Sequence, residues 1–413
     1  MRHSFIVTTY NIKPYIGRCL DSLRQCTRPG DEILVIDDGS TDGTAEEVEA
    51  QLAAGGFGAD VALRPILLGT NTIGGVGIPG NIGLTEATGE AVFFVDGDDW
   101  LDPAGFTACR GAFESSGADI LIGNYLEYDE AAARPREPAD ARHWRSLPAT
   151  KGEGALRRLA LALIAVPWRK FYRRAFLQDH GIRFPEGDFF FEDNPFHWQV
   201  CERAARIAFH DRILCHHRIN RPGQTMASTG VELTAFFTHY ETIRARLPAD
   251  DDQMQQDALA WLINNMSWHV TRLTAQAHWP YAHRAAQALA TCPDPLWQQM
   301  RARFAGTVIL GLAEELRRGN VAGIVTLWGQ DQIHRQIAEL NRRLHAQTDR
   351  LDQITRQVAG LRQEMLAEGQ ARAQMQADRL DSLHHIVEFR ALRALAGLAE
   401  TDGTSGGKKE DTA

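Results

Sequence analysis

Residues 91–102, AVFFVDGDDWLD, constrain this chain more than any other stretch. Val92 to Val95 are apolar with no polar alternation, the pattern of a strand buried on both faces of a mostly parallel sheet. The run ends in Asp96, Asp98 and Asp99, with Gly97 between the first two and no Lys or Arg among them. Carboxylates that close raise one another's pKa unless a cation neutralises them. A hard divalent ion, Mg²⁺ or Mn²⁺, holding a phosphate-bearing substrate suits such oxygen ligands. The plainer alternative is a solvated acidic turn that caps the next helix.

Two earlier stretches end in the same way. Residues 4–9 (SFIVTT) read as a strand running into Tyr10-Asn11, and residues 32–36 (EILVI) as a strand running into Asp37-Asp38. Between them, Ile16, Leu20 and Leu23 recur at helical spacing until Pro29-Gly30 stops the helix. Ser40, Thr41 and Asp42 are competent N-caps for a helix starting near Thr44, and residues 81–88 read as a short helix closed by Gly89. Strands alternating with helices at this spacing imply an α/β fold with a mostly parallel sheet. Ligands bind such sheets beyond the carboxyl ends of the strands. Three polar strand ends on one edge therefore make a candidate site.

A second dense stretch starts at Val166. Trp168, Phe171, Tyr172 and Phe176 are expected to pack a helix against the sheet, and Phe189 to Phe191 lead into Glu192-Asp193. Carboxylates held behind three Phe side chains gain basicity, because desolvation disfavours the charged form. The alternative is a charge pair that complements a helix N-terminus. Residues 208–218 read as a strand that ends in His216, His217 and Arg218, with Arg221 and Thr225 beyond. These cations could clamp a departing diphosphate. Adjacent His216 and His217 point to opposite faces of a strand, which argues against a zinc site.

FIVTTYN, ILVIDDGSTDGT, PGNIGLTEATGEAVFFVDGDDWLDP and FFFEDNPF, in that order and spacing, resemble family 2 of the inverting glycosyltransferases, which have the GT-A fold. The resemblance covers roughly residues 3–225. It implies a Rossmann-like, mostly parallel sheet with flanking helices, and a nucleotide-sugar donor such as a UDP- or GDP-sugar. Thr8, Tyr10, Asn11, Asp37, Asp38, Asn81, Asp96, His217, Arg218 and Arg221 would bind that donor. Asp96 and Asp98 would hold Mn²⁺ or Mg²⁺, with Asp99 in a supporting role. Asp193 would be the general base and Glu192 its supporting neighbour. Gly80 stands where the family commonly has an Arg, and His217 stands in a slot that is usually aromatic. The acceptor would be a glycan, a lipid-linked molecule or a protein, as in cell-surface polysaccharide and glycoconjugate synthesis. Two alternatives stay open: an inactive GT-A domain serving as a coiled-coil scaffold, and a nucleotidyltransferase. For the latter, residues 8–18 offer only Lys13 and Arg18 to hold a triphosphate.

Helical patterns over residues 231–246 and 257–277, and helices broken by Pro280, Pro293 and Pro295, carry no evident chemistry. The period then changes. Ile337, Leu340, Leu344, Gln347, Leu351, Ile354, Val358, Leu361 and Met365 step by three and four without a break, a heptad seam. That pattern predicts a coiled coil and a homo-oligomer. The expected organisation is a catalytic domain over 1–228, a helical domain over 229–331, a coiled coil over 332–390 and a disordered tail over 391–413. A net charge of −9 gives no reason to expect a nucleic-acid partner. Six scattered cysteines with no C-x-x-C pair fit a reducing cytoplasm. The N-terminus enters a strand pattern without room for a signal peptide, and no apolar run reaches the ~20 residues that span a bilayer. Peripheral association at the inner face of a membrane is the closest lipid contact expected.

Overall fold

The computed structural model describes residues 1–58, 60–224 and 229–399. Its centre is one sheet of nine strands among the described residues: β1 (His3–Thr9), β2 (Glu32–Asp37), β3 (Ala62–Leu67), β4 (Ala91–Asp96), β5 (Trp100–Leu101), β6 (Ile120–Asp129), β7 (Arg134–Arg136), β8 (Lys170–Arg173) and β9 (Ile207–Ile219). They run in the order β3-β2-β1-β4-β8-β6-β9-β5, with β7 against β6. The first four are mutually parallel. β8 is antiparallel to its neighbours β4 and β6, β9 is parallel to β6, and β5 is antiparallel to β9.

The apolar strands are buried on both faces because helices cover both. Phe5, Val7, Ile33, Val35, Phe93 and Val95 face a core shared with helices Lys13–Cys26 and Pro103–Ser116. The alternate residues Ile6, Leu34, Ile36, Val92 and Phe94 face a second core. That second core continues without interruption through Phe184 and Phe196 into Phe236, Tyr240, Leu262 and Trp328. Residues 229–330 thus cover one face of the sheet, and Met1–Gln330 is a single compact unit.

Several local expectations change. Phe171 and Tyr172 lie in β8, within the sheet, rather than on a helix packed against it. β3 was not expected: Arg64 and Pro65 interrupt its apolar pattern, and Pro is tolerated because β3 is an edge strand. The helix expected over residues 81–88 runs Gly77–Glu86, because a distant side chain supplies the cap at its start. Helices Asp252–His269 and Ala275–Ala290 replace the one expected over 257–277, and Pro280 sits inside the second of them rather than ending it. The last helix, Val321–Ala399, is 79 residues long and so takes in the start of the tail expected to be disordered. The rest of that tail, residues 400–413, lies outside the described residues. Ile324 and Trp328 of this helix belong to the first unit's core, whereas from Ile337 to Met365 every apolar seam residue is exposed. No helix is long and apolar enough to cross a membrane among the described residues, and the six cysteines are free and buried.

Register brings the strand ends level: Thr8 pairs with Asp96, and Thr9 with Asp37. Gly97 follows β4 immediately and donates its N–H to the Thr8 carbonyl at 3.0 Å. A Cβ at residue 97 would meet Ile12 at 2.6 Å, Thr9 at 2.7 Å and the Thr8 carbonyl at 3.0 Å. Gly97→Ala should therefore force the acidic turn away from β1 and destabilise the protein by ~1–3 kcal/mol, as overpacking does. A melting temperature equal to wild type would show that the turn has room to spare.

Candidate active site

The acidic turn at the end of β4 is folded on itself, with the Asp99 N–H bonded to the Asp96 carbonyl at 2.9 Å. Asp98 and Asp99 are buried, and Asp96 is part-buried. Three carboxylates in so little space need compensation, and β9 with the residues just after it supplies that. His217 Nδ1 lies 2.8 Å from Asp99, whose other oxygen accepts the Arg218 N–H at 2.7 Å. Arg221 pairs with Asp98. The Asp96 carboxylate has no hydrogen-bond or ion-pair partner among the described residues. Burial pushes its carboxyl well above the usual range, and the charges of Asp99 and Asp98 push the same way. Burial alone would lower the His217 imidazolium, but the adjacent Asp99 outweighs it and raises the group to about 9.

Ligand atoms of Asp96, Asp99 and His217 all lie within 4.8 Å of one another. Two carboxylates and an imidazole are donor types that suit a divalent cation, which would take the place of the proton that Asp99 holds on His217. The sequence expectation paired Asp96 with Asp98. The structure brings Asp99 to Asp96 instead, because the Asp98 carboxylate is turned to Arg221. Trp168 stacks on His217 at 4.7 Å and fixes its ring plane. His216 points to the opposite face and stacks on Trp100 at 5.0 Å.

Asp193 opens the helix Asp193–Arg203, and its charge adds to those that raise Asp96. Desolvation pushes its carboxyl up to about 7, helped by the like charge of Glu192 and opposed by Lys170. Asn194 Nδ2 donates to it at 3.0 Å. Glu192 is buried and accepts the Gly77 N–H at 2.8 Å, which caps the helix Gly77–Glu86 from a distance. A Cβ on Gly75 would come within 2.5 Å of the Glu192 carboxylate, so only glycine lets that loop wrap around it. Lys170, on β8 beneath this helix, is fully buried and donates to the Val166 carbonyl. Burial brings its ammonium down to about 7.

Residues 4–181 match the family model described as glycosyl transferase family 2. This chain carries a family 2 glycosyltransferase domain. It is 29% identical over 218 residues to the uncharacterized glycosyltransferase EpsJ of Bacillus subtilis, covering 52% of this chain and 61% of EpsJ. It is 29% identical over 262 residues to poly(ribitol-phosphate) beta-N-acetylglucosaminyltransferase TarS of Staphylococcus aureus, covering 63% of this chain and 43% of TarS. The chain thus spans less than two thirds of either relative's length. The crystal structure of S. aureus TarS 1–349 in complex with UDP-GlcNAc has the same fold, with a TM-score of 0.63 at 22% identity over 81% of this chain and 92% of that one. The GT-A fold extends to this chain.

Within this family 2 domain the remaining expected donor residues divide in two. Tyr10 is exposed and Thr8 is part-buried beside Asp96. Asn11, at a φ of 49°, accepts the Thr41 N–H at 2.8 Å, which ties two strand ends together. Others serve the scaffold. Asp37 is buried and accepts from Thr9 and from Ser40. Asp38 accepts the Thr72 N–H and hydroxyl. Asn81 is buried with its amide on Phe184 and Glu186, so it clasps the turn that precedes Asp193 rather than meeting solvent. Arg218 is no loose clamp either. It is buried over Tyr15 at 4.5 Å, bonded to the Asp98 carbonyl and paired with Glu130. Thr225 lies outside the described residues. Lys170 and Trp168 were missed as site residues, their only signal being a Lys and a Trp inside an aromatic-basic run that reads equally well as core.

Asp193 binds its proton more tightly when folded than when unfolded. Its contribution to stability is therefore complete below the unfolded pKa of ~3.9 and is lost as pH rises through about 7. The melting temperature of Asp193→Asn relative to wild type should rise between about pH 4 and about pH 7 and level off above that. A constant difference would mean that Asp193 is ionised throughout that range.

Proposed function

We propose that this chain transfers a sugar from a nucleoside-diphosphate sugar, a UDP- or GDP-sugar, to a hydroxyl of a glycan, lipid-linked or protein acceptor, with inversion at the anomeric carbon. One juxtaposition carries the reading: the part-buried Asp193, its carboxyl pushed up to about 7, stands close enough to Asp96 of the carboxylate–imidazole cluster to raise that group too. A group of that pKa both accepts a proton near neutral pH and holds it weakly enough to turn over. Asp193 takes the acceptor hydroxyl's proton as that oxygen bonds to the anomeric carbon. The bond from that carbon to the diphosphate breaks, its electron pair leaving with the nucleotide. Asp96, Asp99 and His217 would hold Mn²⁺ or Mg²⁺, which when bound supplies positive charge beside the departing diphosphate. Free, buried thiols suit a cytoplasmic enzyme, where such donors are at hand.

The assay is donor cleavage and transfer across a panel of UDP- and GDP-sugars with Mn²⁺, with and without chelator, the product anomer being read by NMR. Wild type should consume one donor and give the inverted anomer, with loss of activity in chelator. Asp193→Asn should lower turnover by ~10² or more while the nucleotide still binds. A product of retained configuration, or an Asp193→Asn variant at wild-type speed, would sink this assignment.

We also infer that the heptad seam pairs with a second copy of itself. Ile337, Leu340, Leu344, Leu351, Ile354, Val358, Leu361 and Met365 lie 47–75% exposed on one helix. Burying each large side chain yields roughly 1.5–3 kcal/mol. A seam of strict 3.5-residue period is complementary to its own copy, and Gln347 in it would help to set register. Light scattering should report an oligomer for wild type and a smaller species for Leu344→Asp with Leu351→Asp. A monomeric wild type would refute the pairing.

A further inference from the structure

We propose that His239 and Phe236, on the helix Ala235–Arg246, are positioning residues for the base: they hold the strained segment that carries Asp193, and this is a function of residues 229–330 beyond covering the sheet. The inference rests on Asp193 being the base. Phe191 has a φ of +66°, a left-handed conformation that a bulky side chain adopts only when its surroundings impose it. Two residues later stands Asp193. Unheld, such a backbone relaxes to an ordinary conformation and swings the carboxylate with it.

The restraint comes from three directions. Asn194 donates both its backbone N–H, at 3.1 Å, and its Nδ2, at 3.0 Å, to the Phe191 carbonyl. Glu192 is tied to the helix Gly77–Glu86. The third restraint belongs to the helical region. His239 Nε2 meets the Phe190 carbonyl at 2.7 Å, the Phe189 ring stands edge-on to the His239 ring at 5.0 Å, and the Phe191 ring rests on Phe236 at 4.9 Å.

His239 is fully buried, and its Nδ1 has no hydrogen-bond partner. An imidazole is costly there unless its one engaged nitrogen matters, since an apolar ring would pack without an unmet acceptor. Burial holds its pKa down to about 4, so the ring is neutral near pH 7 and its Nε2–H is a constant donor to Phe190. The same two helices are also joined at their surface, where Arg246 donates to Gln199 at 2.6 Å.

The test uses the full-length protein and donor cleavage with Mn²⁺, with the nucleoside diphosphate alone as binding probe. His239→Phe keeps the ring and removes the donor; His239→Gln restores a donor at a similar reach. His239→Phe should lower kcat by ~10-fold or more, the scale of a misplaced catalytic group, with KM for the donor and affinity for the nucleotide unchanged. His239→Gln should recover most of that loss. If His239→Phe does not fold, Phe191→Gly tests the same point, since it keeps the left-handed backbone but frees the segment from Phe236, and it too should lose kcat alone. Wild-type kcat in the variant that folds, or loss of nucleotide affinity in step with kcat, overturns the proposal. So does a His239→Gln variant no faster than His239→Phe. Asp193→Asn, measured alongside, separates the two claims. If it loses turnover while His239→Phe does not, only the positioning role fails; if it keeps turnover, the base assignment fails and the positioning role with it.

Discussion

Burying carboxylates side by side is the constraint on which the rest of this site depends. Asp96, Asp98 and Asp99 end a strand covered on both faces, so water cannot screen them fully, and the chain must bring neutralising groups from elsewhere. It brings them on β9 and just beyond its end, more than a hundred residues later in sequence. His217 meets Asp99, Arg221 meets Asp98, and the Arg218 backbone and guanidinium close the turn. Asp96 has no such partner among the described residues.

Desolvation also shapes the surroundings of Asp193. There, with a like-charged neighbour, it raises the carboxyl to about 7. Lys170 limits the effect, since without its opposing charge Asp193 would sit higher still. The two carboxylate environments differ because one cluster is met by cations from β9, whereas the other is set at the start of a helix behind three phenylalanines.

The helices over residues 229–330 take part in this arrangement. Their core is continuous with one face of the sheet, and from them His239 and Phe236 reach the segment just before Asp193. Domain boundaries drawn from composition at residue 228 cut through that shared core. A site that uses a left-handed Phe needs a rigid backing, and in this fold the backing comes from a stretch in which no chemical motif is visible.

Much of the fold is legible in the amino-acid order alone. The apolar runs at residues 4–9, 32–36 and 92–95, each ending in polar residues, determine three parallel strands and one site edge, because a strand buried on both faces leaves no other place for its carboxylates. The quoted motifs place the domain in its family, and the unbroken heptad determines one long helix. Long-range pairing decided the rest. Asp99 rather than Asp98 faces Asp96 because Arg221 draws Asp98 away, and nothing local to DGDDW says so. That Asp37, Asp38 and Asn81 also hold loops together is not visible in the sequence, since which lone pairs are occupied depends on neighbours tens of residues away. The role of His239 was invisible for the same reason: a lone histidine on a helix acquires meaning only from the carbonyl that tertiary packing sets against it.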